Sequence, residues 1–281
     1  MPEVAEVQAH AERLDRDFAG LTLAKFQALK FTALRTVAPA PDAAYGEPLE
    51  RVGRRGKYLL LEFASVTFAV HLMQGGRLLV DAKKSLKARA GQARFVFAPD
   101  TAPALLLTEQ GTERKAGVWA LDPATALSTP PLDTLGPEAW GITPDALLER
   151  FALKNQRLHG FLRDQRMLAG LGRLLANEIC HRARLSPFAM TGSLGPPGAA
   201  TVAAAIDACI TECLAYERSR PDMSSSKDRP SAVHNRTGEV CPVCADTVRA
   251  IEYVGYTVNY CPTCQTGGKV LADNTTSKFL K

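Results

Sequence analysis

The sequence predicts an α+β protein: an N-terminal helix packed on a β-sandwich or barrel, then a helical region, then a short hairpin closed by four cysteines. Three patterns carry that expectation. Val4, Val7, Ala11, Leu14 and Phe18 recur at helical spacing with Glu, Arg and Asp between them, which marks an amphipathic helix. Short runs rich in Val, Leu and Phe follow at close spacing as far as residue 121, as in packed β-layers. Two Cys-x2-Cys pairs stand sixteen residues apart near the C-terminus, the ligand spacing of a tetrahedral metal site.

The chain opens Met1-Pro2-Glu3. Pro at the first helical position followed by Glu is an ordinary helix start, and the same residues admit chemistry. Removal of Met1 leaves Pro2 as a secondary amine. An α-amine has a pKa of about 7.7–8.0 in the open, and partial burial lowers it. Such an amine attacks an aldehyde-equivalent carbon to give a Schiff base, with Glu3 beside it as a proton carrier. Gly20 ends the helix.

Strands are expected at Leu21–Leu29, Lys57–Phe63, Val66–Leu72, Leu78–Asp81, Ala93–Ala98, Ala104–Thr108 and Val118–Leu121. Ala64-Ser65 is short enough to turn a hairpin. Residues 122–144 are rich in Pro, Gly and Thr without periodicity and predict a linker between a domain at 1–121 and a helical one at 145–238. Helices are expected at Asp145–Lys154, up to Asp164, at Leu174–Arg182 and at Ala199–Arg218. Gly170-Leu171-Gly172 precedes the third of these. Glycines there permit close backbone approach, and free N–H groups at a helix start suit a phosphate; a tight turn between packed helices uses the same residues. Residues 219–238 are polar and rich in Ser and Pro, as in a mobile loop. The cysteine module spans 239–265 and a tail 266–281.

Length and composition set bounds. The 281 residues, 46% of them apolar, suffice for two domains with their own cores. No uninterrupted apolar run reaches the ~20 residues of a membrane span, and the N-terminus lacks a charged leader, so no membrane and a cytoplasmic location are expected. Seven cysteines, an odd count, argue against a disulfide framework. Net charge is +5. Residues 83–94 hold five basic side chains and no acidic one, either a solvated loop or a surface facing a polyanion. Cys241, Cys244, Cys261 and Cys264 fit one Zn2+ better than a redox pair, and four protein ligands leave no open position, so the metal is structural. TVRAIEYVGYTVNY between the pairs alternates like a hairpin, with Gly255 near its turn. Thiolates and ion together contribute about −2, so the hairpin needs basic residues if it faces a polyanion; Arg236, Arg249 and Lys269 are the candidates, and the same residues read equally as solvated charges.

Taken in order, Pro2-Glu3 with Glu6, RRGKYLLL at 54–61, His71-Leu72 before Gly76, Asp164-Gln165 through GLGRLLANE, and CPVC with YCPTCQ resemble the formamidopyrimidine-DNA glycosylase and endonuclease VIII family over residues 1 to about 265. The resemblance implies a β-sandwich with its packed helix, a helix–two-turn–helix domain and a β-hairpin zinc finger. It implies that a damaged base is swung out of the duplex, that Pro2 attacks the sugar carbon and displaces the base, that Glu3 drives ring opening with Glu6 in support, and that Lys57 contacts a phosphate near the lesion. β- and δ-elimination then cut the strand. The function expected is a bifunctional DNA glycosylase and AP lyase for oxidised or otherwise damaged bases, monomeric, with one structural zinc. The rival reading is a non-catalytic binder of damaged DNA on the same scaffold. His71, alone among apolar residues, reads by itself as an interior side chain; the resemblance places it among DNA contacts.

Several positions depart from that family. After Gly172 the family usually has Asn gripping the lesion's phosphate; here it is Arg173. Its zinc hairpin brings an Arg to the same phosphate; here that place is Tyr256. A family lysine is His159. Arg173 is therefore expected to supply the charge that the hairpin lacks. The family's wedge residues correspond to Gln74, with Met73 one place early, and to Arg114 and Ala116. Ala116 cannot wedge between bases and Gln74 wedges poorly, and an unfilled gap loses a few kcal/mol of stacking per step. Weak dependence on the opposite base and a preference for single-stranded or opened DNA are expected.

Overall fold

The computed structural model describes residues 1–85, 90–111, 114–223, 228–253 and 255–271. Two units form. The first comprises Met1–Leu135 with Pro221–Met223, the second Gly136–Arg220 with the chain after Met223.

In unit 1, α1 (Val4–Phe18) precedes eight antiparallel strands: β1 (Thr22–Ala28), β2 (Arg51–Arg55), β3 (Tyr58–Glu62), β4 (Thr67–His71), β5 (Gly76–Asp81), β6 (Gly91–Ala98), β7 (Ala104–Glu109) and β8 (Gly117–Leu121). They form two four-stranded sheets, ordered β1-β6-β7-β5 and β2-β3-β4-β8. Val7, Leu14 and Phe18 of α1 join residues of both sheets in one buried core. Phe26, Phe63, Phe68 and Phe95 meet there edge to face, at 5.1–5.8 Å between centroids, the geometry that ring quadrupoles favour. Leu59, Leu61, Phe68 and Val70 face this core, while Leu60 and Ala69 pack on the opposite face with Leu121, Ala126 and Leu132. Residues 122–135 thus cover the outer face of the second sheet, which explains why β3 and β4 read as continuous apolar runs. β2 is missing from the strands expected above because RVGRR carries one apolar side chain; Arg51 instead pairs with Glu62 across the hairpin at 2.7 Å.

Unit 2 holds α2 (Pro144–Leu153), α3 (Leu158–Arg163), α4 (Arg173–Arg182), α5 (Gly195–Arg218), the hairpin β9 (Arg249–Tyr253) and β10 (Tyr256–Tyr260), and the short α6 (Pro262–Thr266). Thr143 caps α2 by accepting the Ala146 N–H at 3.2 Å, with Pro144 at the first position. α5 starts four residues before the expected Ala199, since Pro196 and Pro197 fit a first turn. Among the described helices it alone has the length and composition of a membrane crossing, although Asp207 and Glu212 interrupt it. It lies against α2 and α4 and buries Val202, Ile206, Ile210 and Leu214. Gly255 makes the hairpin turn at φ 87°.

The polar stretch 219–238 departs from the expected mobile loop. The Glu178 carboxylate on α4 accepts the backbone N–H groups of Ala232, Val233 and His234 at 2.7–3.0 Å, and Val233 is fully buried. Residues 224–227 of that stretch lie outside the described residues, as do 86–89 of the basic run and 272–281 of the tail.

Candidate functional site

α1 begins just after Glu3, whose backbone is extended. Glu3 and Glu6 form a capping box. The Glu3 carboxylate accepts the Glu6 N–H, and Glu6 Oε2 accepts the Glu3 N–H at 3.0 Å. Two donors left unpaired at the helix start are thereby satisfied. Both side chains are buried. Pro2 is buried too, while Met1 is 42% exposed, so the protein body grips the proline ring and the chain end reaches solvent.

α1 lies across β2. Asp15 Oδ1 accepts the Val52 N–H at 2.7 Å, and Gln8 Oε1 accepts from Arg54 Nε at 2.9 Å. Moving back along α1 from Asp15 to Gln8 moves forward along β2 from Val52 to Arg54. The turn that follows, Gly56-Lys57, therefore lies toward the start of α1. Gly56 takes φ 56°, a conformation that a side chain resists, and Arg54 Nη1 braces it through the Gly56 carbonyl at 3.2 Å. Lys57 is 7% exposed.

Tyr58 stands opposite His71, and His71 opposite Gly117. Lys57, His71 and the start of β8 thus share one end of the sheet. His71 Nδ1 accepts the Met73 N–H at 3.2 Å, which assigns the ring proton to Nε2. Burial, reinforced by the Lys57 charge, lowers His71 to about 4. The ring is neutral near pH 7 and presents an N–H donor rather than a charge.

The wedge positions divide. Met73, at φ 51°, turns back onto the core, and Gln74 is exposed. Ala116 is 1% exposed and its N–H is held by Glu109 Oε2 at 2.6 Å. Arg114 is exposed and its Nε reaches the Gly111 carbonyl at 3.3 Å. In the basic run, Arg94 is buried against Asp81 at 2.9 Å and the Ser85 carbonyl at 2.6 Å, so it serves the fold.

In unit 2, Gly172 is the N-cap of α4 with no side-chain cap, and Arg173 is half-buried at the first helical position. Tyr256 is half-buried. Tyr253 stacks on its ring at 4.8 Å and 9°, and the Arg163 guanidinium lies 4.1 Å over the ring, a cation–π contact. Arg163 is a residue the sequence reading missed: nothing in LHGFLR signals a partner 93 positions later. Among the described residues no carboxylate pairs with Arg163 or Arg173. Both charges bear on His159, which burial and then Arg163 lower to about 3. His159 is 3% exposed and its Nε2 has no partner among the described residues. A neutral imidazole thus stands where the family resembled usually has a lysine, with the charges of two arginines bearing on it.

The four cysteine sulfurs lie within 4.8 Å of one another. Tetrahedral Zn–S bonds of about 2.3 Å require sulfurs roughly 3.8 Å apart; Cys241–Cys264 and Cys244–Cys261 stand at 3.9 and 3.3 Å, so the donor set fits. Asp246 Oδ2 accepts from both the N–H and the hydroxyl of Thr263, joining the two cysteine turns. α4 anchors the module: His181 Nε2 lies 3.3 Å from Cys241 Sγ, and Asn177 Nδ2 donates to Asn259 Oδ1 at 3.3 Å. Of the cations expected on the module, Arg236 is taken up by Glu239 at 2.8 Å and by nearby carbonyls; Arg249 and Lys269 are exposed.

Residues 1–113 match the model of the formamidopyrimidine-DNA glycosylase N-terminal domain. A formamidopyrimidine-DNA glycosylase of Chloroflexus aurantiacus is 31% identical over 278 residues, covering 94% of this chain and 98% of that one. A Mycobacterium tuberculosis protein described as an uncharacterized formamidopyrimidine-DNA glycosylase-like protein is 36% identical over 155 residues, covering 54% of this chain and 98% of its own length. Among solved structures, the Lactococcus lactis formamidopyrimidine-DNA glycosylase bound non-covalently to DNA with an AP site superposes with a TM-score of 0.83 at 19% identity, covering 94% of this chain and 99% of that one. At that identity the likeness is one of fold.

Proposed function

The chain belongs to the formamidopyrimidine-DNA glycosylase family, and on that premise we propose that it is a bifunctional DNA glycosylase and AP lyase acting on oxidised or otherwise damaged bases. What supports this reading is the run of α1 along β2, which directs the start of α1, with Pro2, Glu3 and Glu6, and the Gly56-Lys57 turn toward the same end of unit 1, the end of the sheet that also carries His71. Once Met1 is removed, the Pro2 amine attacks the anomeric carbon of the damaged nucleotide. The C–N bond to the base breaks, and a Schiff base forms between protein and sugar. Glu3, fixed at the helix start, moves the proton that accompanies ring opening. Glu6 holds the Glu3 backbone and acts as a positioning residue. Loss of the 3′ and then the 5′ phosphate by β- and δ-elimination leaves a gap.

Lys57 and the His71 Nε2–H offer one charged and one neutral donor to the phosphates beside the lesion. Arg173 and Arg163 offer charged donors to phosphate in unit 2. The expected compensation for Tyr256 takes a different form: Tyr256 seats Arg163, and that guanidinium joins Arg173 in supplying the positive charge. Zn2+ would be held by Cys241, Cys244, Cys261 and Cys264 and would supply a fixed cross-link that orders the hairpin. Such a site needs reduced thiols, which suits a monomeric enzyme of the cytoplasm.

Borohydride reduction in the presence of DNA carrying an abasic site tests the reading. An enzyme using Pro2 leaves a covalent protein–DNA adduct that vanishes when Pro2 is acetylated or still blocked by Met1. A binder on the same scaffold gives no adduct at any concentration.

A further inference from the structure

We propose that Phe31 is a stacking platform for an unpaired nucleobase, set on the rim of the reactive end of unit 1; this rests on the reading that DNA binds there. Phe31 is 99% exposed, whereas the other described phenylalanines are buried or half-buried. It sits on a tight turn closed by the Ala33 N–H donating to the Lys30 carbonyl at 3.0 Å. The fold places this turn. β8 is the edge of its sheet, and Leu34 bridges Val118 in parallel. The residues before Leu34 therefore run past the start of β8, at the end where Gly117 faces His71. Arg35 locks the position: its N–H donates to the Val118 carbonyl at 2.8 Å and its Nη2 to the Lys115 carbonyl at 3.1 Å. At about 4.8 Å per strand, three steps separate the Lys57 turn from this rim, a span comparable to a few nucleotides.

The surroundings state the partner's chemistry. Lys30, Arg35, Arg114 and Lys115 are all exposed around the turn, and no acidic residue occurs between Asp17 and Asp42. A solvent-exposed aromatic ring ringed by cations fits a strand that offers base faces and phosphates together. It fits an apolar protein partner poorly, since those cations would need desolvation. The same rim carries Ala116, buried and unable to enter a base stack. Phe31 is the exposed aromatic side chain on this rim among the described residues.

The test uses full-length, zinc-loaded protein processed to Pro2, with oligonucleotides carrying a tetrahydrofuran abasic analogue, single-stranded and duplex, read by fluorescence anisotropy at fixed salt. Phe31→Ala is expected to weaken binding about tenfold on at least one substrate, with Phe31→Trp at or above wild type, Phe31→Leu as weak as Ala, and an unchanged melting temperature. Phe31→Ala within twofold of wild type on both substrates overturns the proposal, and so does Phe31→Leu binding like wild type. Borohydride trapping of the wild type, run in parallel, reads the Pro2 chemistry separately, because Phe31 touches no atom of the reaction.

Discussion

The two units keep different things constant. At the end of unit 1 proposed to carry the chemistry, three of the side chains assigned to it are also part of the scaffold: Glu3 and Glu6 cap α1, and Lys57 sits in the turn that joins β2 to β3. In unit 2 the positions proposed to serve phosphate binding hold Arg173, His159 and Tyr256, where the family resembled usually has Asn, Lys and Arg. The difference follows from geometry. Moving a proton between specified atoms requires one position, whereas attracting a phosphate requires only positive charge within a few ångströms, which neighbouring helices can both offer. Arg163 on α3, seated by Tyr256 on β10, is such an offer.

The sharpest way to break that contrast is Glu3→Gln. A glutamine amide still accepts the Glu6 N–H, so the melting temperature should stay within a degree or two, while single-turnover excision falls by about 10²–10⁴. A large loss of stability with unchanged chemistry would show the residue to be a cap alone. Next in size is Cys244→Ser: bound zinc should drop well below one per chain by metal analysis, and lesion-DNA affinity should fall at least about tenfold as the hairpin loosens. Arg163→Ala should weaken lesion binding roughly tenfold and flatten the slope of log K against log salt by about 0.9 for each phosphate that is no longer neutralised; Tyr256→Ala should weaken binding in the same way but less. An unchanged salt slope would return the whole burden to Arg173.

A different kind of effect, on stability rather than on excision or binding, concerns pH. His10, His71 and His159 lie at about 4, 4 and 3 against 6.5 when unfolded, in each case chiefly through burial. Between those values the unfolded chain binds more protons, so stability is full above pH 6.5 and declines as pH falls toward 4. The loss is on the order of 1–3 kcal/mol per histidine. Denaturant melts of His159→Gln should show a shallower decline over that range than wild type; parallel curves would exclude His159 as a contributor.

How far the sequence disclosed this molecule depended on distance along the chain. α1, the seven apolar strands, helices α2 to α5 and the cysteine module are local patterns, and each was legible. β2 was not, because Arg51 and Arg54 find their partners on β3 and α1 rather than in an apolar period. The covering of the second sheet by Ala126 and Leu132 was equally hidden, since two apolar residues in a Pro-rich stretch have no periodicity. At the site, Pro2, Glu3 and Lys57 were named from motif order. Arg163, the Asn177–Asn259 anchor and the exposure of Phe31 needed coordinates, because each is decided by residues tens of positions away.

The burial of Pro2 beneath a solvent-reaching Met1 carries a practical corollary for anyone preparing this protein. A purification tag fused ahead of Met1 would leave the helix cap, the sheets and the cysteine module intact. On the proposed reading, the preparation would be pure, folded and able to take up metal, and it would lack its nucleophile. Handles belong at the opposite terminus, and the mass of the mature first residue is the quality check to run before any assay.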